Sequence, residues 1–261
     1  MTEYLTSQHP VLTLGQSVAL GYDSTARPVT ISGYNSSITG VNLETVWSTG
    51  GAYAFPTTTG GYPKTVEIDS SSANDAAGGS GAKTVRIEYL DSSFNLLTST
   101  QSPVGTTDTD LVLPLFYRLN GITVMTGAAA AGVIQVREID DSPIFGAVEV
   151  GQYRSRDAVY TVPLGKKFLV ESLSVTSNAA TADKSYGLFT VMANYDQYLC
   201  AKQTFDVAQF SLPCNAGGAY MQPAAPICFP AGVDIHIDVI GNAVTDAAEV
   251  TAELRGMLLP A

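Results

Sequence analysis

The sequence predicts an all-β protein. It divides into two antiparallel β-sandwich or jelly-roll-like domains behind an extended N-terminal arm. Three observations carry this. Short runs that alternate apolar and polar residues recur at intervals of about ten residues, separated by Gly- and Pro-rich turns. No window of ten residues keeps the 3.6-residue apolar period of a helix. The chain is 45% hydrophobic and only 14% charged, which argues for a packed core rather than disorder. Its 261 residues fit one large or two ordinary domains, long enough to need no disulfide or metal staple.

Residues 1–40 are polar and broken by Gly, Ser, Thr and Asn. Val11-Leu12-Thr13-Leu14 and Val18-Ala19-Leu20 are short. Pro28-Val29-Thr30-Ile31 alternates once before Gly33-Tyr34-Asn35 interrupts it. The segment reads as an arm that gains order by packing on a neighbouring chain. Residues 41–142 read as the first β domain. Lys64–Asp69 and Lys83–Tyr89 alternate with period two, the latter placing Val85, Ile87 and Tyr89 on one face. Asp91-Ser92-Ser93-Phe94-Asn95 is a tight turn into Leu96–Thr100, and Ile122–Met125 and Val133–Val136 are further strands. Residues 143–261 read as the second domain. Its strands are Ala158–Val162, Phe168–Val175, Tyr186–Met192, Val233–Val239 and Ala248–Arg255, with a hairpin turn at Pro163–Lys167. Prolines at 223, 226 and 230 delimit an extended edge segment.

Charge and cysteines exclude several classes. Thirteen Lys and Arg against 24 Asp and Glu give a net charge of −11, unsuited to a nucleic-acid backbone or an anionic membrane face. No apolar run reaches the length of a membrane-spanning helix, and the first residues carry no basic segment leading into an apolar one. Cys200, Cys214 and Cys228 lack CxxC spacing and read as reduced, buried thiols. A zinc site made from them with His236 is disfavoured, because ligand pairs normally sit a few residues apart. No cofactor and no metal is expected.

Candidate chemistry is sparse. The histidines are His9 and His236. Asp234, His236 and Asp238 share one strand face, a set that could orient a base or bind a metal, against the plainer reading of a wet or interfacial strand face. Asp69 and Asp75, Asp108 and Asp110, and Asp140 and Asp141 fall in turns. There carboxylates cap backbone N–H groups, and the first of these loops lacks the glycine and closing glutamate of a calcium loop. The thirteen tyrosines, with their apolar bodies and polar tips, suit interfaces or sugar platforms, against the plainer reading of sandwich core and subunit contact. Trp47, Tyr53, Tyr195 and Tyr198 are the candidate interaction residues, with Trp47 also read as a buried anchor at a domain entrance.

One stretch carries a resemblance. Leu43-Glu44-Thr45-Val46-Trp47, Gly50–Pro56, Ser70–Asp75, Gly79–Ala82, Thr84-Val85, Ile87 and Leu90-Asp91 resemble a segment of virion proteins from tailed phages and some large algal viruses. Tyr160–Lys166 through Phe229–Ile235 is similar to the β-sandwich that often follows it. The match departs at Glu88-Tyr89, where small residues are usual. The resemblance implies a structural virion component, made in the host cytoplasm, and not an enzyme. The expected role is capsid decoration or cement, with the major capsid protein or other virion proteins as partners. A head or tail fibre component that recognises a host glycan is the alternative. Lysine-poor strands such as Phe168–Val175 leave sheet edges unguarded, from which a homotrimer through residues 143–261 is expected.

Overall fold

The computed structural model describes residues 25–38, 42–56, 65–111, 113–139, 143–179, 186–195, 203–213, 217–223, 227–240 and 248–261. Between 179 and 217 it describes the backbone alone. The described residues form strands and turns with no helix. In chain order the strands begin with Arg27–Ile38 (β1), Glu44–Thr45 (β2), Val66–Ser70 (β3), Ala82–Leu90 (β4), Leu96–Gln101 (β5) and Thr109–Leu111 (β6). Arg118–Gly127 (β7), Ile134–Glu138 (β8), Ile144–Val148 (β9), Val159–Thr161 (β10), Lys166–Ala179 (β11) and Tyr186–Tyr195 (β12) follow. The last are Gln203–Pro213 (β13), Gly217–Met221 (β14), Ile227–Phe229 (β15), Val233–Ile240 (β16) and Ala248–Pro260 (β17).

Two sheets make a sandwich from both ends of the described chain. One runs β1-β17-β11-β14, with β15 also on β11; the other runs β10-β16-β12-β13, with β2 on β16. Ile31, Val46, Phe168, Leu173, Val175, Phe229, Ile235, Ile237, Val250 and Leu254 fill the space between. The second lobe packs β6-β3-β8-β9 against β5-β4-β7 over Val66, Ile68, Val85, Ile87, Phe116, Ile122, Ile134, Val136 and Phe145. All these pairings are antiparallel, as alternation on the strands predicts.

The domain boundaries differ from those read in the sequence. Residues 27–38 are no free arm: they lie along the last strand of the same chain, from Arg27 opposite Leu258 to Asn35 opposite Val250. Residues 1–24 of the expected arm lie outside the described residues. The sandwich is therefore discontinuous, with the β3–β9 lobe inserted between β2 and β10. The lobe closes after Val148 rather than at residue 142, because β9 pairs with β8. Gly33 misled the sequence reading. A Cβ there would sit 2.0 Å from the Val46 carbonyl oxygen and 2.5 Å from the Ala158 Cβ. The glycine marks a close crossing of backbones inside a strand, not its end. The Pro163–Lys167 turn links β10 in one sheet to β11 in the other, so it is a crossover and not a hairpin.

Two predicted turns behave as read. Asp91 accepts hydrogen bonds from the Ser93 and Asn95 backbone N–H groups and from Asn95 Nδ2. Asp75, fully buried, accepts from Ser70 Oγ at 2.6 Å and from the N–H groups of Ala82, Ala131 and Gly132. Burial works against its charge, but those four donors outweigh it and hold its carboxyl below the usual range. The carboxylate is spent on loop capping.

Candidate functional site

The two lobes meet at a buried polar joint, and Trp47, Tyr53, Asp234, His236 and Asp238, all singled out in the sequence, converge there. β16 runs through the middle of its sheet, and Val233 to Val239 are buried on both faces. One face, Ile235 and Ile237, enters the sandwich core. The other carries Asp234, His236 and Asp238 towards the inserted lobe.

Arg118, at the start of β7, crosses from that lobe to meet Asp234. Its Nε donates to Oδ1 at 2.9 Å and its Nη2 to Oδ2 at 3.0 Å, a two-pronged pair with side chains 2% and 0% exposed. Thr161 Oγ1 donates to the same carboxylate at 2.6 Å. Arg118 Nη1 donates to the carbonyl oxygens of Pro56 and Tyr117. The guanidinium lies 4.0 Å from the centre of the Tyr117 ring and 5.5 Å from that of Phe55. Burial disfavours the Arg118 charge, yet the Asp234 carboxylate more than offsets it and holds the group above its usual range.

Two further threads complete the joint. Asp238 Oδ1 accepts from Thr45 Oγ1 at 2.7 Å and lies 2.9 Å from His236 Nδ1. Trp47, Tyr53 and Phe55 then stack edge to face, 5.0 and 4.9 Å apart, and Phe55 meets the His236 ring at 5.6 Å. Tyr53 Oη donates to the Phe145 carbonyl in the inserted lobe at 3.0 Å. Burial raises the Tyr53 phenol far above its ordinary value. Asp157, between the lobes, accepts from Ser48 Oγ at 3.0 Å and from the Ala147 N–H at 3.3 Å. Burial outweighs those bonds and pushes its carboxyl up to about 6.

Trp47 and Tyr53 thus face inward and seal this joint; they are internal anchors and present no surface to a partner. Tyr195 ends β12, its side chain outside the described atoms. Tyr198, Cys200, Cys214, His9 and the Asp140–Asp141 pair lie outside the described residues. Cys228 is an exposed free thiol on β15, not a buried one, because that short strand sits at a sheet margin. Among the described residues no cluster of His, Cys, Asp and Glu has the makings of a metal site. Arg118 was missed in the sequence. Its signal was a lone cation within Phe116-Tyr117-Arg118-Leu119 of a lightly charged chain, a setting that calls for a buried acid.

No protein-family model and no curated protein matches the chain. Among solved structures, a T=1 particle derived from infectious bursal virus aligns over 92% of this chain and 80% of that one, at 10% identity and a TM-score of 0.09. A score that low carries no argument about fold or function.

Proposed function

We propose that the chain is a virion structural protein, a capsid decoration or cement protein that bridges neighbouring major capsid subunits. The observation that supports this best is the joint. A buried ion pair, an aromatic seal and backbone-directed hydrogen bonds fasten two β lobes into one body. A bridge that resists internal pressure needs that stiffness. The buried charges answer one another across the joint, so they serve cohesion rather than turnover. The resemblance of residues 43–91 to virion proteins points the same way, and part of that stretch, Trp47 to Pro56, builds the joint. The unit we propose is a homotrimer, in which neighbouring copies cover sheet edges.

The test adds the full chain to expanded, empty capsids that lack it. Stoichiometric binding seen by electron microscopy, with raised resistance to heat, is expected. Absence of binding refutes the reading. A fibre role has one observation in its favour. Tyr220, 68% exposed, stands on an open sheet face in a row with Ser174 and Glu253, an arrangement that suits stacking on a sugar ring. On that reading the free protein blocks adsorption to the host, and on the cement reading it does not.

A further inference from the structure

A second feature lies on the other side of the Asp157 segment. There the outer face of β4, β5 and β7 stands opposite the first half of β1 and leaves a cleft of about 350 Å³. That is the size of a ligand cleft, typically about 300–1,000 Å³. Its walls carry Arg27, Arg86, Glu88, Leu96, Thr123 and Arg154.

One wall is an open strand edge. The Tyr34 N–H points away from β17 and donates to the Arg156 carbonyl at 3.0 Å. The register between β1 and β17 is unbroken from Arg27 to Asn35. In an antiparallel ladder alternate residues turn both backbone groups outward. Ser32, Thr30 and Pro28 therefore face the same way as Tyr34. Proline at 28 fits that parity, since it has no N–H to leave unpaired there. Arg156 satisfies the edge at Tyr34. At Thr30, among the described residues, no group takes the outward N–H and C=O.

The other observation is charge. Three arginines of a chain with net charge −11 converge on this cleft. Glu88 is shared by Arg86 at 3.1 Å and Arg27 at 3.8 Å. Arg154 meets Ser32 Oγ at 3.1 Å and no carboxylate among the described residues. The Nε of Arg86 is buried without a hydrogen-bond partner. Asp157 lines the floor, but its carboxyl is turned to Ser48 and Ala147. The cleft thus offers open ladder positions beside under-neutralised guanidinium groups.

We propose that this cleft docks an extended acidic segment of a partner protein, which adds to the open edge of β1 as a further strand and sets carboxylates against Arg154 and Arg86. Main-chain pairing supplies the register and the arginines select the charge. A segment of alternating apolar and acidic residues fits both demands. The inference stands apart from the capsid reading, since any acidic partner with such a segment would serve.

The test uses the full chain and a fluorescein-labelled peptide, Val-Asp-Val-Glu-Val-Asp, read by fluorescence anisotropy at low salt. Saturable binding is expected. Thr30→Pro removes an outward N–H while leaving the ladder to β17 whole, and should weaken binding about tenfold. Arg154→Ala should weaken it by a similar factor. The matched peptide with lysine in place of its acids should bind at least about tenfold more weakly. Should Thr30→Pro fail to fold, the same peptide N-methylated at alternate amides tests the ladder on the unaltered protein. No saturable binding overturns the proposal. So does equal affinity for the lysine peptide, or for the N-methylated one.

Discussion

Replacing Arg118 with methionine tests the joint directly. The side chain keeps much of its length and loses its charge, so the buried Asp234 carboxyl loses the two-pronged guanidinium pair while Thr161 still donates to it. Breaking a buried pair by removing one partner typically costs about 3–5 kcal/mol. For a chain of this size that is a fall in melting temperature of about 10 °C. The pair also joins two lobes, so the loss has a second signature. Where one unfolding transition reports the intact protein, Arg118→Met should split or broaden it as the lobes uncouple. The companion variant, Arg118→Met with Asp234→Leu, removes both charges. It should recover at least about 2 kcal/mol of the sum of the single losses, because no orphan charge remains. Calorimetry and urea melts read both. A shift of less than about 1 kcal/mol for Arg118→Met, or strict additivity in the double variant, would refute the assignment of the pair as the fastening between lobes.

Three further predictions follow from the same geometry. The Asp157 carboxyl lies at about 6 against an ordinary 3.8, so the folded chain holds a proton there that the unfolded chain releases. That group's contribution is full below pH 4 and is lost as pH rises to about 6, by up to about 3 kcal/mol, and Asp157→Asn should flatten this slope in urea melts. Asp75 works in the opposite sense: its lowered carboxyl stabilises above its ordinary value and loses that effect as pH falls further, so Asp75→Asn should make the acid-side decline shallower. Gly33→Ala forces a Cβ against the Val46 carbonyl, and should cost about 3 kcal/mol or more by thermal melting, where an ordinary glycine-to-alanine change in a strand stabilises.

Much of the fold was legible because each lobe buries one face of its strands. Lys83–Tyr89 alternates cleanly, and it became β4 with Val85, Ile87 and Tyr89 in the core. β16 was found by the same alternation, though its polar face is buried too. Alternation records a difference between two faces, and cannot tell water from a partner lobe that supplies its own charges. The Asp234-His236-Asp238 face was therefore readable as special and not as internal, since the answering Arg118 stands 116 residues away in sequence. β1 escaped for a related reason. Its glycine and serines look like a breaker when taken alone, and only the partner strand at the far end of the described chain makes sense of them. Tyr53, singled out as an interaction residue, spends its hydroxyl on the Phe145 carbonyl rather than on a surface.

The discontinuous sandwich decides how truncation experiments are read. Removal of residues 1–40 takes away β1 and with it a ladder of some ten paired residues along β17. Ile31 and Ile38 leave the core in the same cut. Burying such side chains is worth about 1.5–3 kcal/mol each, so the loss is large against the whole stability of a domain. A fragment of residues 143–261 suffers the same defect and lacks β2 besides, which would expose β17 and β16 as new edges. Self-association of that fragment would then report damage, not a native trimer interface. The proposed trimer is therefore tested on the full chain by light scattering, with a mass of one chain at micromolar concentration refuting it. The part of the arm open to deletion is residues 1–24. If they anchor the protein to a neighbour, their removal leaves the melting temperature within about 2 °C while particle occupancy falls; unchanged occupancy sinks the anchoring role.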